Sequence, residues 1–320
     1  MAESVLIAGG MGYLGGRIAL KLIEQKKFDV RITTNKVKAV LPKRVEKSRL
    51  IPFDILFDSD VTVACQGIES IIHLVALNEV ESQLNPEQAF MVNSLGTLKL
   101  LQAAEKAGVK KFIYFSTIHV YGKPLVGKIT ELNLPRPTHP YAITHRAAED
   151  FVLSAHDRRA LCGVVLRLSN AFGAPADPDV NAWTLVMNDL CRQAVTNRKI
   201  ELRSSGLQSR DFITIEDVVR AVLHFLDLPA TECGGGLFNL GGENPIRIID
   251  LAELIALRCA KTLGFRPQIV RPEPKPEETC KPLQYSIDKL KNTGFTLKGN
   301  LDREIDETLK FCQSFVTSLD

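Results

Sequence analysis

The sequence predicts a doubly wound α/β fold, a parallel sheet covered by helices on both faces, followed by a smaller C-terminal α/β lobe. Three observations predict it. Short apolar, β-rich runs alternate with amphipathic stretches through residue 115, a glycine-rich turn follows the first such run, and the alternation breaks after Gly173. Strands are expected at 4–8, 28–34, 48–53, 70–75 and 110–115. A helix over 87–107 should set Phe90, Leu98, Leu101 and Ala104 on one side, with Glu87, Lys99 and Glu105 elsewhere, and pack on the sheet. Another starts at Tyr141 and runs through His156, followed by a strand from Cys162 to Leu168. The segment Ala174-Pro175-Ala176-Asp177-Pro178-Asp179 marks the boundary between 1–173, which takes returning segments from the later chain, and 174–320. Beyond it the pattern gives helices at 182–197, 215–228 and 248–263, strands near 200 and at 237–241, a proline-rich loop at 271–276 and a last helix over about 301–318.

Composition narrows the class of function. A chain of 320 residues, 45% hydrophobic and 24% charged, can bury one large core with a smaller lobe beside it. Its 40 basic and 37 acidic residues are interspersed, so there is no extended cationic surface for nucleic acid. Seven cysteines without a Cys-x-x-Cys pair read as reduced thiols, and no metal site is expected. Ser4 already belongs to the first strand, with no signal segment ahead of it, and no run of about 18 apolar residues suggests a membrane span. A cytoplasmic location is the expectation.

The first strand leads into Gly9-Gly10-Met11-Gly12-Tyr13-Leu14-Gly15, which opens an amphipathic helix carrying Ile18, Leu22 and Ile23. Small residues are needed there because the backbone must turn tightly, approach a pyrophosphate and let the helix pack close. The helix N-terminal amides, Tyr13 and Leu14 included, then face the anion. Strand, turn and helix in that order are the dinucleotide fingerprint of a Rossmann fold. The second strand ends in Thr33-Thr34-Asn35-Lys36, with no acid for the ribose 2′-hydroxyl of NAD. Asn35, Lys36 and Arg17 suit a 2′-phosphate, which favours NADP(H) and leaves NAD(H) as the alternative.

Further segments resemble the extended short-chain dehydrogenases/reductases that epimerise, dehydrate or reduce nucleotide sugars, the NAD-dependent epimerase/dehydratase family. Gly9, Gly12 and Gly15 fit its G-x-x-G-x-x-G spacing, and Asn93-Ser94-Leu95-Gly96-Thr97 its mid-helix N-x-x-G-T. Phe53-Asp54-Ile55 is similar to the segment around adenine, and His73-Leu74-Val75-Ala76 to the loop against adenosine and diphosphate. The resemblance thereby assigns Asp54, Ile55, Leu74, Val75, Ala76 and Asn93 to the cofactor, and Thr34 at the end of the second strand joins them. Phe115-Ser116-Thr117-Ile118-His119-Val120-Tyr121-Gly122 resembles the catalytic loop, with Thr117 in the Ser/Thr position, and Pro140-Tyr141 the start of the catalytic helix. Asn170, in Arg167-Leu168-Ser169-Asn170, and Arg210, in Arg210-Asp211-Phe212-Ile213, take the substrate-binding positions. Dimerisation through helices 87–107 and 141–157 is typical of the family.

Hydride transfer from a carbinol needs a base, and a tyrosine serves only if its pKa of about 10 falls towards neutrality, roughly 4 kcal/mol for three units. In the family a lysine one helical turn after the tyrosine supplies part of this. Here Tyr141-Ala142-Ile143-Thr144-His145 puts histidine in that place, a group mostly neutral at pH 7. Three readings stay open: the oxidised cofactor and Thr117 lower the Tyr141 pKa enough, His145 is held protonated, or binding outweighs turnover. His119, two residues after Thr117, is either an extra acid/base for a proton on carbon or a loop histidine satisfied by packing. Thr117-Ile118-His119 departs from the Thr-Asp-Glu of dehydratases, which favours epimerisation. The resemblance therefore implies a nucleotide-sugar epimerase or related oxidoreductase. The alternative is a dinucleotide- or sugar-nucleotide-binding protein with little catalysis.

Overall fold

The computed structural model describes residues 2–35, 41, 43–278 and 281–316. From the N-terminus the elements run β1 (Glu3–Ala8), α1 (Tyr13–Gln25), β2 (Phe28–Thr34), β3 (Arg49–Pro52), α2 (Asp58–Ala64) and β4 (Ser70–His73). Two short helices, α3 (Glu79–Leu84) and α4 (Pro86–Ala89), lead through a π-helical segment, Phe90–Gly96, into α5 (Thr97–Ala107) and β5 (Lys111–Thr117). Then come β6 (Gly127–Ile129), α6 (Pro140–Asp157), β7 (Cys162–Leu168) and β8 (Asn170–Phe172). The later chain adds α7 (Val186–Thr196), β9 (Lys199–Glu201), β10 (Ser209–Thr214), α8 (Ile215–Asp227), β11 (Leu237–Leu240) and β12 (Pro245–Arg247). It ends with α9 (Ile248–Leu263), β13 (Gln268–Val270), β14 (Leu283–Tyr285), α10 (Asp288–Lys291) and α11 (Leu301–Val316).

Seven parallel strands form the central sheet in the order β11-β7-β5-β4-β1-β2-β3. Val5-Leu6-Ile7-Ala8 and Val164-Val165-Leu166 are buried without a break. A parallel sheet covered on both faces demands such continuous apolar runs, since neither side of the strand meets water. One core cluster lies on each face, and a third, around Met187, Leu251, Ile255 and Leu309, joins α7, α9 and α11. Strand order reverses between β1 and β4, and the crevice beyond their carboxyl ends is where such folds bind ligands. A three-stranded sheet, β12-β10-β8, extends from the same end of the structure as Asn170. Among the described residues no helix is long and apolar enough to cross a membrane.

Three expectations are corrected. The helix expected over 87–107 carries the π-helical turn at Phe90–Gly96, and the extra residue rotates the face. Phe90 is consequently exposed, while Ala89, Leu100, Leu101 and Ala104 are buried. Arg210 lies on β10 rather than on a loop, paired across the ladder with Ile246. Arg17, expected beside the second strand's end, instead donates to the Ala174 carbonyl and sits 3.9 Å from the Glu304 carboxylate. Lys36 lies outside the described residues.

Candidate active site

The glycine turn sits at the switch point. Gly9 has φ +86°, and a Cβ there would meet the backbone of Leu74 and Val75 at 3.1 Å, so the turn and the loop after β4 touch. A Cβ on Gly15 would lie 2.5 Å from both the Gly10 Cα and the Gly9 carbonyl oxygen. No side chain caps the N-terminus of α1, where Gly12 stands in extended conformation. Amide donors there remain open to an anion, so the residues present fit a dinucleotide pyrophosphate. Gly15→Ala is expected to push the turn apart and weaken nicotinamide dinucleotide binding at least about tenfold, read by titration calorimetry. Unchanged affinity would show that the turn does not hold the ligand.

Around the turn, Thr34 is buried at the end of β2 and Asn35 is exposed beside it. The Asp54 carboxylate accepts from the Leu56 amide at 2.9 Å, and Ile55 packs against Gly96. Leu74, Val75 and Ala76 form the partly buried loop beyond β4. Asn93 braces that loop: its oxygen accepts from the Leu77 amide at 2.8 Å, and its nitrogen donates to the Thr144 hydroxyl at 3.0 Å.

Thr117, His119, Tyr141 and Asn170 border one cavity of about 280 Å³, together with Tyr13 and Leu14 of the glycine turn. Each arrives from a different element. Thr117 ends β5 and caps a 3-10 turn by accepting from the His119 amide at 3.2 Å, which leaves its own hydrogen for a ligand oxygen. Tyr141 opens α6 directly after Pro140, with the His139 ring as N-cap at 3.3 Å. Proline at the first helical position loses no hydrogen bond. The Tyr141 phenol is crowded by protein although it opens on the cavity, and burial pushes it up to about 12, with Glu79 adding to the rise. His119 is held below its ordinary value by burial, and its Nδ1 has no partner among the described residues.

His145 stands one turn after Tyr141, with ring centroids 4.4 Å apart in a T-shaped contact. Its Nδ1 is 2.6 Å from the Tyr114 hydroxyl, and its Nε2 is buried without a partner among the described residues. Burial pushes the imidazole down to about 4, so it is neutral near pH 7. Of the three open readings, the one in which His145 is held protonated is disfavoured by this burial. Arg146 points elsewhere, pairing with Glu149 and Asp150.

Sequence reasoning missed the pair that binds this helix to the sheet. Glu149, fully buried, takes Nε and Nη2 of Arg167 at 2.9 and 2.7 Å and the Ser116 hydroxyl at 2.5 Å. Arg167 stacks over Tyr121, 4.7 Å from its centroid. The spacing of Tyr141, His145 and Glu149, four residues apart each time, was the available signal, because it lines all three on one helix face. Glu79, which borders the cavity from α3, left no signal in the sequence.

On the far side of Val80 and Thr184, which border both spaces, lies a larger cavity of about 850 Å³ lined by Trp183, Arg192, Gln208 and Arg210. Trp183 also packs on the third core, 6.4 Å from Phe311. The Asn170 side chain donates to the Asp211 carbonyl at 2.8 Å, tying it to the strand that carries Arg210.

This architecture is that of an extended short-chain dehydrogenase/reductase. Residues 5–241 match the model of the NAD dependent epimerase/dehydratase family, and the chain belongs to that family of enzymes. It is 32% identical over 269 residues to dTDP-D-glucose 4,6-dehydratase of Mus musculus, covering 80% of this chain and 73% of that one. Among solved structures it is similar to the UDP-glucose 4-epimerase of Thermotoga maritima, with a TM-score of 0.82 at 24% identity over 99% and 100% of the two chains. The UDP-glucose 4-epimerase of Thermus thermophilus in complex with NAD gives 0.79 at 25% identity, over 97% and 99%.

Proposed function

We propose that the chain is a nicotinamide-dinucleotide-dependent nucleotide-sugar epimerase that oxidises a sugar carbinol transiently and reduces the ketone from the other face. The observation that carries this reading is the meeting of Thr117, Tyr141, His119 and Asn170 with the glycine turn on one cavity. Tyr141 takes the carbinol proton, and Thr117 donates to the same oxygen. His145, in the position where the family carries lysine, contacts the nicotinamide ribose, and His119 serves as a second acid/base. When bound, the oxidised nicotinamide accepts the hydride and brings positive charge close to the Tyr141 phenol. Residues 174–320 supply most of the sugar-nucleotide lobe. The larger cavity, with Arg210 for charge-assisted bonds to a diphosphate and Trp183 on its wall, suits the nucleotide half of the substrate.

The acid-free end of β2 supports NADP(H), although Arg17 is engaged elsewhere, while the Thermus relative holds NAD. Titration with both coenzymes distinguishes them. The test of function is incubation with a panel of UDP- and dTDP-sugars, following epimerised product and nicotinamide absorbance. Tight binding without exchange or product from any sugar would sink the reading. The binding-only alternative draws no support from the family match.

We also infer a homodimer. Leu84, Phe90, Met91, Ile143 and Phe151 are exposed apolar residues of helical segments that contact one another, and clustered exposed apolar surface marks interaction sites. Phe90→Asp is expected to shift the protein towards monomer in light scattering, and a monomeric parent protein would overturn the inference.

A further inference from the structure

The bond between Tyr114 and His145 can run in either direction, and the surroundings decide which. Both rings are enclosed, Tyr114 on β5 in the core and His145 on α6, and the hydroxyl lies 2.6 Å from Nδ1. Suppose Nδ1 carries the proton and donates. The phenol hydrogen then has no acceptor among the described residues, and Nε2 is a bare lone pair. Two polar groups are stranded in the interior. If the phenol donates instead, its hydrogen is satisfied and the imidazole proton sits on Nε2, across the ring from Tyr114. Only that one donor is left over, and buried polar groups are seldom left unpaired without a function.

We propose that Tyr114 is a positioning residue that fixes His145 in the Nε2–H tautomer, so that the ring offers a single directional donor to a ribose oxygen of the bound dinucleotide. The proposal rests on reading His145 as a cofactor contact. It accounts for a neutral histidine in a lysine's place: a lysine brings charge and three rotatable donors, whereas this ring brings one donor whose direction is set before the ligand arrives. Burial, which holds the imidazole down to about 4, keeps the second proton off near neutrality. Tyr114 itself stays a phenol, because burial, reinforced by Glu149, holds it well above its ordinary value.

The test uses the full chain labelled with 15N-histidine, read by long-range 1H–15N NMR at neutral pH with and without NAD and, in parallel, NADP. His145→Gln assigns the resonances. The expected spectrum has a protonated Nε2 and a bare Nδ1 at His145, with Nε2 shifting when the coenzyme binds. Tyr114→Phe keeps the ring and removes the donor, so it is expected to release the tautomer preference and weaken coenzyme binding about tenfold, the worth of one ordinary hydrogen bond. A protonated Nδ1 in the parent protein overturns the tautomer assignment while leaving the contact reading intact, and this outcome does not depend on the variant folding. His145→Gln and Tyr114→Phe both binding coenzyme as tightly as the parent overturn the contact reading and the proposal with it.

Discussion

Tyr141→Phe is expected to lower turnover by roughly two to four orders of magnitude, the usual worth of a positioned general base, with coenzyme affinity unchanged. The ring remains to make its T-shaped contact with His145, so the cavity wall is preserved and only the hydroxyl is lost. The site's electrostatics set what that base requires. A phenol pushed up to about 12 by burial is no base near pH 7. Bringing it down five units takes on the order of 7 kcal/mol of preferential stabilisation of the phenolate. Neutral His145 does not supply this, which leaves the donor on Thr117 and the charge of the bound coenzyme. Activity of the parent protein should therefore climb as pH rises above 7, as the phenolate fraction grows, and that slope should vanish in Tyr141→Phe. Steady-state rates across a pH series measure both. A variant within tenfold of the parent would remove Tyr141 from the chemistry.

Glu149→Ala is expected to cost about 3–5 kcal/mol of stability, the range for removing one partner of a buried ion pair. Arg167 is 1% exposed and cannot swing into water, so Nε and Nη2 would lose their acceptors inside the protein. Its Nη1 is already without a partner among the described residues. Ser116 loses its acceptor as well, and it adjoins Thr117, so the end of β5 that borders the cavity should loosen together with α6. Urea denaturation reads the stability, and a loss below about 1 kcal/mol would mean that the pair is not the clamp described here. Glu149→Gln, which keeps an acceptor oxygen, should fall between the two.

Local pattern carried much of this fold because parallel strands declare themselves as unbroken apolar runs and a dinucleotide turn as closely spaced glycines. Strands β1, β2, β4, β5 and β7 lie within two residues of their expected bounds at each end. The short strands β6, β8, β12, β13 and β14 were not legible, since three-residue segments have too little periodicity to separate from loops. The π-helical turn was hidden for a different reason: nothing in Phe90 to Gly96 announces the extra residue in this segment, which packs against α6. Of the candidate site, Thr117 and Tyr141 stood on recognisable segments, and both border the cavity. Tyr114, Glu149 and Arg167 read as core strand or helix residues until the fold brings β5, α6 and β7 together. Arg17 shows the reverse error, since proximity in sequence to the glycine turn does not say which way a long side chain leaves the helix.

The last strand of the main sheet, β11, comes from residues 237–240 and completes it by pairing with β7, about seventy positions earlier in the chain. While the polypeptide is being synthesised, the whole dinucleotide-binding half can emerge before that strand exists. Throughout that interval the amides and carbonyls along one side of Val164-Val165-Leu166 lack their partner, on a surface rich in branched aliphatics. Such an edge invites pairing with other nascent chains. A protein cut short between Phe172 and Leu237 would keep its glycine turn, Tyr141 and Asn170, yet expose that sticky margin permanently.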